Sequence, residues 1–238
     1  MEDRYENTRD EREPADGTED PQPRPNFFKR LWMVLAKPGE LFEALAPNPA
    51  WFPMAALVAV IVGIAMFLVP ADAFYEAAVA NPPPDQQAGL QDVPRSFYKW
   101  MAVGGATVFL LILPVILSVL SYVIFVFIRG DRSTFRQHLC VMSHAGVISA
   151  LGALATAPLR TVNAQETLSL GDLVPFLDGY VYAVLNGVDL FALWATVVAG
   201  LGLSLLDPRR RWAPTAAVLV VMLLLVAMIG PSLAALFT

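Results

Sequence analysis

The chain has 238 residues, of which 56% are hydrophobic and only 16% charged, with a mean hydropathy of +0.55. Soluble domains carry about 25% charged residues, so the composition excludes an ordinary water-soluble enzyme and points to a body that lives in lipid. The formal net charge of −5 offers nothing to a nucleic acid backbone, and a single cysteine, Cys140, excludes an internal disulfide.

Residues 1–25 hold nine acidic residues and four arginines, which account for the whole net charge and leave the rest of the chain neutral. With prolines at 14, 21, 23 and 25 and almost nothing apolar to bury, this segment is expected to be a disordered acidic tail. It reads as a solvated arm, or as a docking arm for a basic partner. Residues 26–48 differ. Phe27, Phe28, Leu31, Trp32, Val34 and Leu35 recur at helical spacing among Lys29, Arg30 and Lys37, the pattern of an amphipathic helix lying in the headgroup plane or packing on a bundle. Pro38 restarts the helix as a first-turn residue, with Glu40 in the favourable early position.

Five apolar segments follow, and each is predicted to cross a bilayer: Trp51–Val69, Met101–Ile128, Phe135–Pro158, Val188–Leu206 and Trp212–Ile229. Met101–Ile128 is uncharged throughout and longer than the hydrocarbon core requires. Pro114 near its middle predicts a bend, with Ser118 placed to satisfy a freed carbonyl. Pro70–Trp100 is a polar connection broken by Pro82-Pro83-Pro84, in which Ala73–Ala80 reads as a short surface helix. Leu173–Leu185 is a half-length apolar piece, read as interfacial, re-entrant or an outward extension of the fourth span. Small residues repeat every four positions at Ala55, Ala59 and Gly63, at Ala145, Ser149, Ala153 and Ala157, and at Ala192, Thr196, Gly200 and Ser204. Such ridges let helices approach closely, within one chain or between copies.

The fold class expected is therefore all-α, a polytopic membrane bundle. Its threading follows from the basic residues. Arg24, Lys29, Arg30, Lys37, Arg129, Arg132, Arg136, Arg209, Arg210 and Arg211 flank one set of span ends, against Arg95, Lys99 and Arg160 on the other. Basic loops stay in the cytoplasm, which predicts an inside N-terminus and an outside C-terminus. Lys29, Arg30, Lys37, Arg129, Arg132, Arg136, Arg209, Arg210 and Arg211 are expected to contact the cytoplasmic membrane surface. The heavy use of arginine, alanine, leucine and proline suits a GC-rich bacterium, hence a bacterial inner membrane.

The chemical motifs are mostly absent. There is no Gly-x-Ser-x-Gly, no His-Glu-x-x-His and no phosphate-binding Gly-x-x-x-x-Gly-Lys, so no catalytic residue and no cofactor is assigned. Cys140 and His144 share a helix face, whereas His138 points elsewhere, and two ligands do not make a metal site. The polar residues left inside the bundle are His144, Asp189 and Cys140, with Pro114 as a local distortion. They could form a relay or transport site. The plainer alternative gives His144 an interhelical hydrogen bond, His138 a place near the cytoplasmic surface, and Asp189 a place at a helix N-terminus.

Lys37-Pro38-Gly39-Glu40-Leu41-Phe42 before Trp51 and Pro53, Thr134-Phe135-Arg136 at the entry to the third span, and Asp189-Leu190-Phe191-Ala192-Leu193-Trp194 leading to Gly200-Leu201 resemble the Yip (Ypt-interacting protein) family of five-span membrane proteins. The likeness covers about Lys37 to Gly230 and implies a Yip-like domain over residues 49–238 with a cytoplasmic N-terminus. Eukaryotic members are linked to Rab-type GTPases and vesicle traffic, and carry Asp-Leu-x-Gly-Pro and Gly-Tyr-x-x-x-Pro signatures. Here Asp172-Leu173-Val174-Pro175 lacks the glycine and Gly179-Tyr180 lacks the later proline, so the resemblance does not bring a GTPase partner with it. The function expected is that of a non-enzymatic scaffold or adaptor that recruits partners at the cytoplasmic face, with the bilayer, and either other membrane proteins or its own copies through the small-residue ridges, as further partners. The alternative is a small-solute, ion or lipid transporter.

Overall fold

The computed structural model describes residues 25–80, 92–161 and 168–236, so the acidic tail and the triple-proline stretch lie outside the described residues. Within them every α or β element is helical, apart from one isolated bridge between Ser169 and Asp189. Helix α1 (Phe27–Ala36) is capped by Asn26, whose side chain accepts from the Lys29 N–H at 2.8 Å, and buries Met33 and Val34. Helix α2 (Pro38–Leu45) starts on its proline, carries Glu40 in its first turn, and buries Leu41, Phe42 and Leu45. These two short helices pack on the bundle through α6 and α8, described below.

Helix α3 (Phe52–Leu68) ends where Pro70 removes a backbone donor, and the chain turns by 85° into α4 (Ala71–Val79). Helix α5 (Arg95–Tyr122) begins six residues before the apolar run does, because nothing between Pro94 and Met101 interrupts helical geometry. It continues through Pro114 into a π-helical turn, Val123–Ile128, and stops at Gly130, whose φ of 73° only glycine adopts without strain. Ser118 donates to the carbonyl of Pro114 itself at 2.5 Å, rather than to a carbonyl one turn earlier.

Helix α6 (Phe135–Thr156) opens with a capping box in which Thr134 and Gln137 bond reciprocally, and runs on as a 3-10 turn, Ala157–Thr161. It is the central helix. In its most apolar stretch 67% of residues are buried, against 22% for α5 and 17% for the last helix, and it packs against α1, α3, α5 and α8. The segment that the sequence left open resolves as a separate element: α7 (Gly179–Asn186) follows a 3-10 turn at Gly171–Leu173, and Gly187 and Val188 divide it from α8 (Leu190–Ser204). Helix α9 (Trp212–Leu236) passes through Pro231 instead of ending at Ile229.

Span lengths and the small-residue ridges can be followed at this level. Arg95–Ile128, Phe135–Arg160 and Trp212–Ser232 are long and apolar enough to cross a membrane; the bent α3–α4 pair reaches that length only when its two helices are counted together, and α8 is an apolar helix of 15 residues. The small-residue ridges, in turn, are used inside the chain. A Cβ on Gly63 would lie 2.8 Å from Thr107 Oγ1 of α5, and one on Gly200 would lie 2.4 Å from the Cα of Ala216 on α9. Large apolar side chains meanwhile face outward along α5 and α9, among them Val108, Phe109, Ile112, Val221, Leu225 and Ile229. Water does not tolerate a contiguous apolar surface of this kind, whereas lipid does.

Candidate functional site

A connected set of buried polar residues, among them Asp131, Ser133, His138 and Arg210, lies at the end of the bundle where the arginine turns are. The turn between α5 and α6 carries Asp131 and Ser133, and the turn between α8 and α9 carries Asp207 and Arg210. Folding α6 and α8 side by side brings these two turns together. Arg210 Nε donates to Asp131 Oδ2 at 2.5 Å, Nη1 to the Leu203 carbonyl at 2.6 Å and Nη2 to Ser133 Oγ at 2.8 Å. The guanidinium also stands 4.6 Å from the centre of the Phe125 ring, which the π-helical turn holds fully buried.

His138, in the first turn of α6, extends this set to α5. Its Nε2 is 2.9 Å from Ser133 Oγ and its Nδ1 is 2.9 Å from Ser121 Oγ, while Ser121 Oγ donates to the Ser118 carbonyl. One assignment of protons satisfies every group. Arg210 donates to Ser133, Ser133 to His138 Nε2, His138 Nδ1–H to Ser121, and Ser121 to the backbone. A neutral imidazole thus links an ion pair on one side to a helix carbonyl on the other. Asp207 braces the same turns from outside, accepting from the Arg209 N–H at 2.9 Å and the Arg132 N–H at 3.2 Å. Those two donors hold its carboxyl below the usual carboxylate range, with the Arg209 and Arg210 charges adding to the effect and burial opposing it.

This arrangement holds helices together and does not set up a nucleophile. Ser133 and His138 have the separation of a nucleophile and its base. Both are buried, however, the hydroxyl is held by Arg210, and the second imidazole nitrogen meets Ser121 where a triad would have a carboxylate. Among the described residues no group of three or more His, Cys, Asp or Glu side chains could hold a metal ion.

The intramembrane set read from the sequence is not brought together. Cys140 and His144 do touch, Sγ to Nδ1 at 3.6 Å, and the His144 Nδ1–H donates to the Cys140 carbonyl of its own helix at 2.8 Å, in place of the interhelical bond expected. His144 stacks edge-on to Phe42, 6.5 Å between ring centres, and Phe42 fills the space that a side chain at Gly202 would need. Asp189 caps the other end of α8, accepting from the Ala192 N–H at 2.8 Å. It lies thirteen residues from Gly202, about 20 Å along the helix axis, so His144 and Asp189 do not share a cavity. Pro114 is buried within α5. His138 is wholly buried instead of lying near the surface, because the turn before α6 folds over it.

Of the nine cations expected at the membrane surface, seven are exposed: Lys29, Lys37, Arg129, Arg132, Arg136, Arg209 and Arg211. The other two are not. Arg210 is enclosed by Asp131 and Phe125, and Arg30 is buried with Nη1 donating to the Ala50 carbonyl at 3.4 Å. Sequence reasoning missed the clamp itself. Its one visible sign was that each arginine turn contains an aspartate, which on its own reads as ordinary turn chemistry.

With helices as its regular elements among the described residues, several of them of membrane length and apolar, and with lipid-compatible outer faces, this is an integral membrane protein. The Yip1 domain model matches residues 32–230, so the chain belongs to the Yip1 domain family. It is 26% identical over 178 residues to the membrane protein YknW of Bacillus subtilis (strain 168), a match that covers 73% of this chain and 76% of the relative. No solved structure matches the chain.

Proposed function

We propose that this protein is a non-enzymatic scaffold or adaptor of the bacterial inner membrane, with five spans, an inside N-terminus and an outside C-terminus, which recruits partners at its cytoplasmic face. In this threading α3, α5, α6, α8 and α9 are the spans. Helix α8 reaches the boundary by adding the turn at Leu205 and Leu206, and α4 and α7 rest on the outer surface. The distribution of arginines supports that orientation.

One observation carries the recruiting role. The α1–α2 pair and both arginine turns converge on a single end of the bundle and are tied to one another there. Gln137, in the first turn of α6, donates to the Ala46 carbonyl after α2 at 2.9 Å, Phe42 packs at Gly202 of α8, and Arg210 joins the two turns. The result is one fixed face from which Phe28, 77% exposed, and Trp32, 66% exposed, project beside Lys29. Such a face offers aromatic anchors and cations on a pre-organised support, which lowers the entropy cost of binding.

The test is site-specific photocrosslinking in living cells from positions 28 and 32, compared with positions 112 and 225 on the lipid-facing helices. The reading predicts discrete protein adducts from the first pair that are lost when the neighbouring aromatic anchor is removed, Trp32→Ala for the crosslinker at position 28 and Phe28→Ala for the crosslinker at position 32. If positions 28 and 32 give only lipid adducts, like 112 and 225, the recruiting role fails.

A further inference from the structure

At the arginine end an open cleft of about 660 Å³ lies between the last turn of α8 and the first turn of α9. That volume is in the range of about 300–1,000 Å³ that small ligands occupy. Leu201, Leu205, Trp212 and Pro214 form its apolar walls, and Arg210 and Arg211 supply its charge. The three arginines of the turn differ in what neutralises them. Arg210 is spent on Asp131, and Arg209 lies 4.0 Å from Asp207. Arg211 is exposed and makes no ion pair among the described residues. It immediately precedes α9, where Trp212 and Ala213 are the first-turn residues whose N–H groups lack intrahelical acceptors, Pro214 having none and Thr215 donating to the Arg211 carbonyl, and where the helix dipole favours an anion.

We propose that this cleft binds the phosphate-bearing headgroup of one acidic phospholipid, with Arg211 as its cationic partner and the upper part of the acyl chains along Leu201, Leu205 and Trp212. Charge complementarity requires an anion. The apolar walls select which anion, because free phosphate gains nothing from leucine and tryptophan, whereas a phospholipid carries its charge directly beside hydrocarbon. Position agrees with chemistry. The apolar run of α8 ends at Leu206 and that of α9 begins at Trp212, so the cleft straddles the depth at which headgroup phosphates lie, and Trp212, 59% exposed, is the residue type that such boundaries attract. The inference uses the membrane placement of the bundle but not the recruitment of protein partners.

Native mass spectrometry of the full chain in a neutral detergent, titrated with phosphatidylglycerol or phosphatidylcholine, reads this site without any protein partner. The wild type should retain one phosphatidylglycerol at least about fivefold more tightly than phosphatidylcholine, as expected for one arginine engaging an acidic lipid. Arg211→Ala should lose that preference, Leu205→Trp should weaken retention by filling the cleft, and Arg136→Ala, an exposed cation outside the cleft, should change nothing. Equal retention by wild type and Arg211→Ala overturns the proposal. So does an equal loss in Arg136→Ala, which would mean diffuse surface attraction, and so does displacement of the lipid by an equal concentration of inorganic phosphate, which would assign the cleft to a free anion.

Discussion

Asp131 and Arg210 lie 79 positions apart in the chain, and in the folded protein the carboxylate and guanidinium form a buried ion pair, with side chains 6% and 1% exposed. Each charge is expensive to bury alone, and the pair is supported by Ser133, the Leu203 carbonyl and the face of Phe125. Removing either partner leaves the other uncompensated. Arg210→Ala and Asp131→Ala should each lower stability by about 3–5 kcal/mol, measured as the shift in unfolding free energy in mixed micelles titrated with a denaturing detergent. The double substitution Asp131→Leu with Arg210→Met should recover most of that loss, because an apolar pair leaves no orphan charge.

Gly200 sets the separation of α8 and α9. A methyl group there would meet the Ala216 backbone, which cannot rotate aside as a side chain can. Gly200→Ala should therefore cost about 1–3 kcal/mol, as overpacking does, in the same unfolding measurement. Gly104→Ala on α5, where a Cβ meets nothing within 4 Å, is the matched control and should be neutral or slightly stabilising.

Asp207 gives the protein an acid-sensitive brace. Its carboxyl is held below the usual range by the Arg209 and Arg132 N–H groups, so its folded-state pKa is lower than its unfolded one. The stability it contributes is complete above the ordinary aspartate pKa of about 4 and disappears as pH falls through the lowered folded value. The Asp207 contribution should hold from pH 7 down to about pH 4 and be lost only as the pH is lowered further. Asp207→Asn should start lower at pH 7 and show a shallower loss, in thermal unfolding of the detergent-solubilised protein.

What the sequence disclosed and what it hid have separate physical causes. Membrane helices announce themselves through long uncharged runs, so Met101–Ile128, Phe135–Pro158 and Trp212–Ile229 could be placed to within a few residues. Their ends drifted where no breaker stood, at Arg95, or where a proline was carried inside a helix, at Pro231. The pairing of Cys140 with His144 followed from helical spacing alone. The clamp did not. Asp131, Ser133, His138 and Arg210 come from two turns and a helix, and only the side-by-side packing of α6 and α8 brings them within hydrogen-bonding distance. Asp189 and His144, both polar and both near apolar runs, could be read either as a relay or as separate residues, and the length of α8 sets them apart, with Asp189 at the helix N-terminus.

The central claim is that the arginine-bearing turns and the α1–α2 pair share the cytoplasmic side of a five-span bundle. Single cysteines at Arg132, Arg209 and Glu76, introduced into a Cys140→Ala background, can be labelled in intact spheroplasts with a membrane-impermeant maleimide, before and after permeabilisation. The account predicts that Glu76→Cys reacts in intact spheroplasts, whereas Arg132→Cys and Arg209→Cys react only after permeabilisation. Labelling of Arg209→Cys from outside while Arg132→Cys stays protected would contradict it, because the turns that the Asp131–Arg210 pair joins would then lie on opposite sides of the membrane.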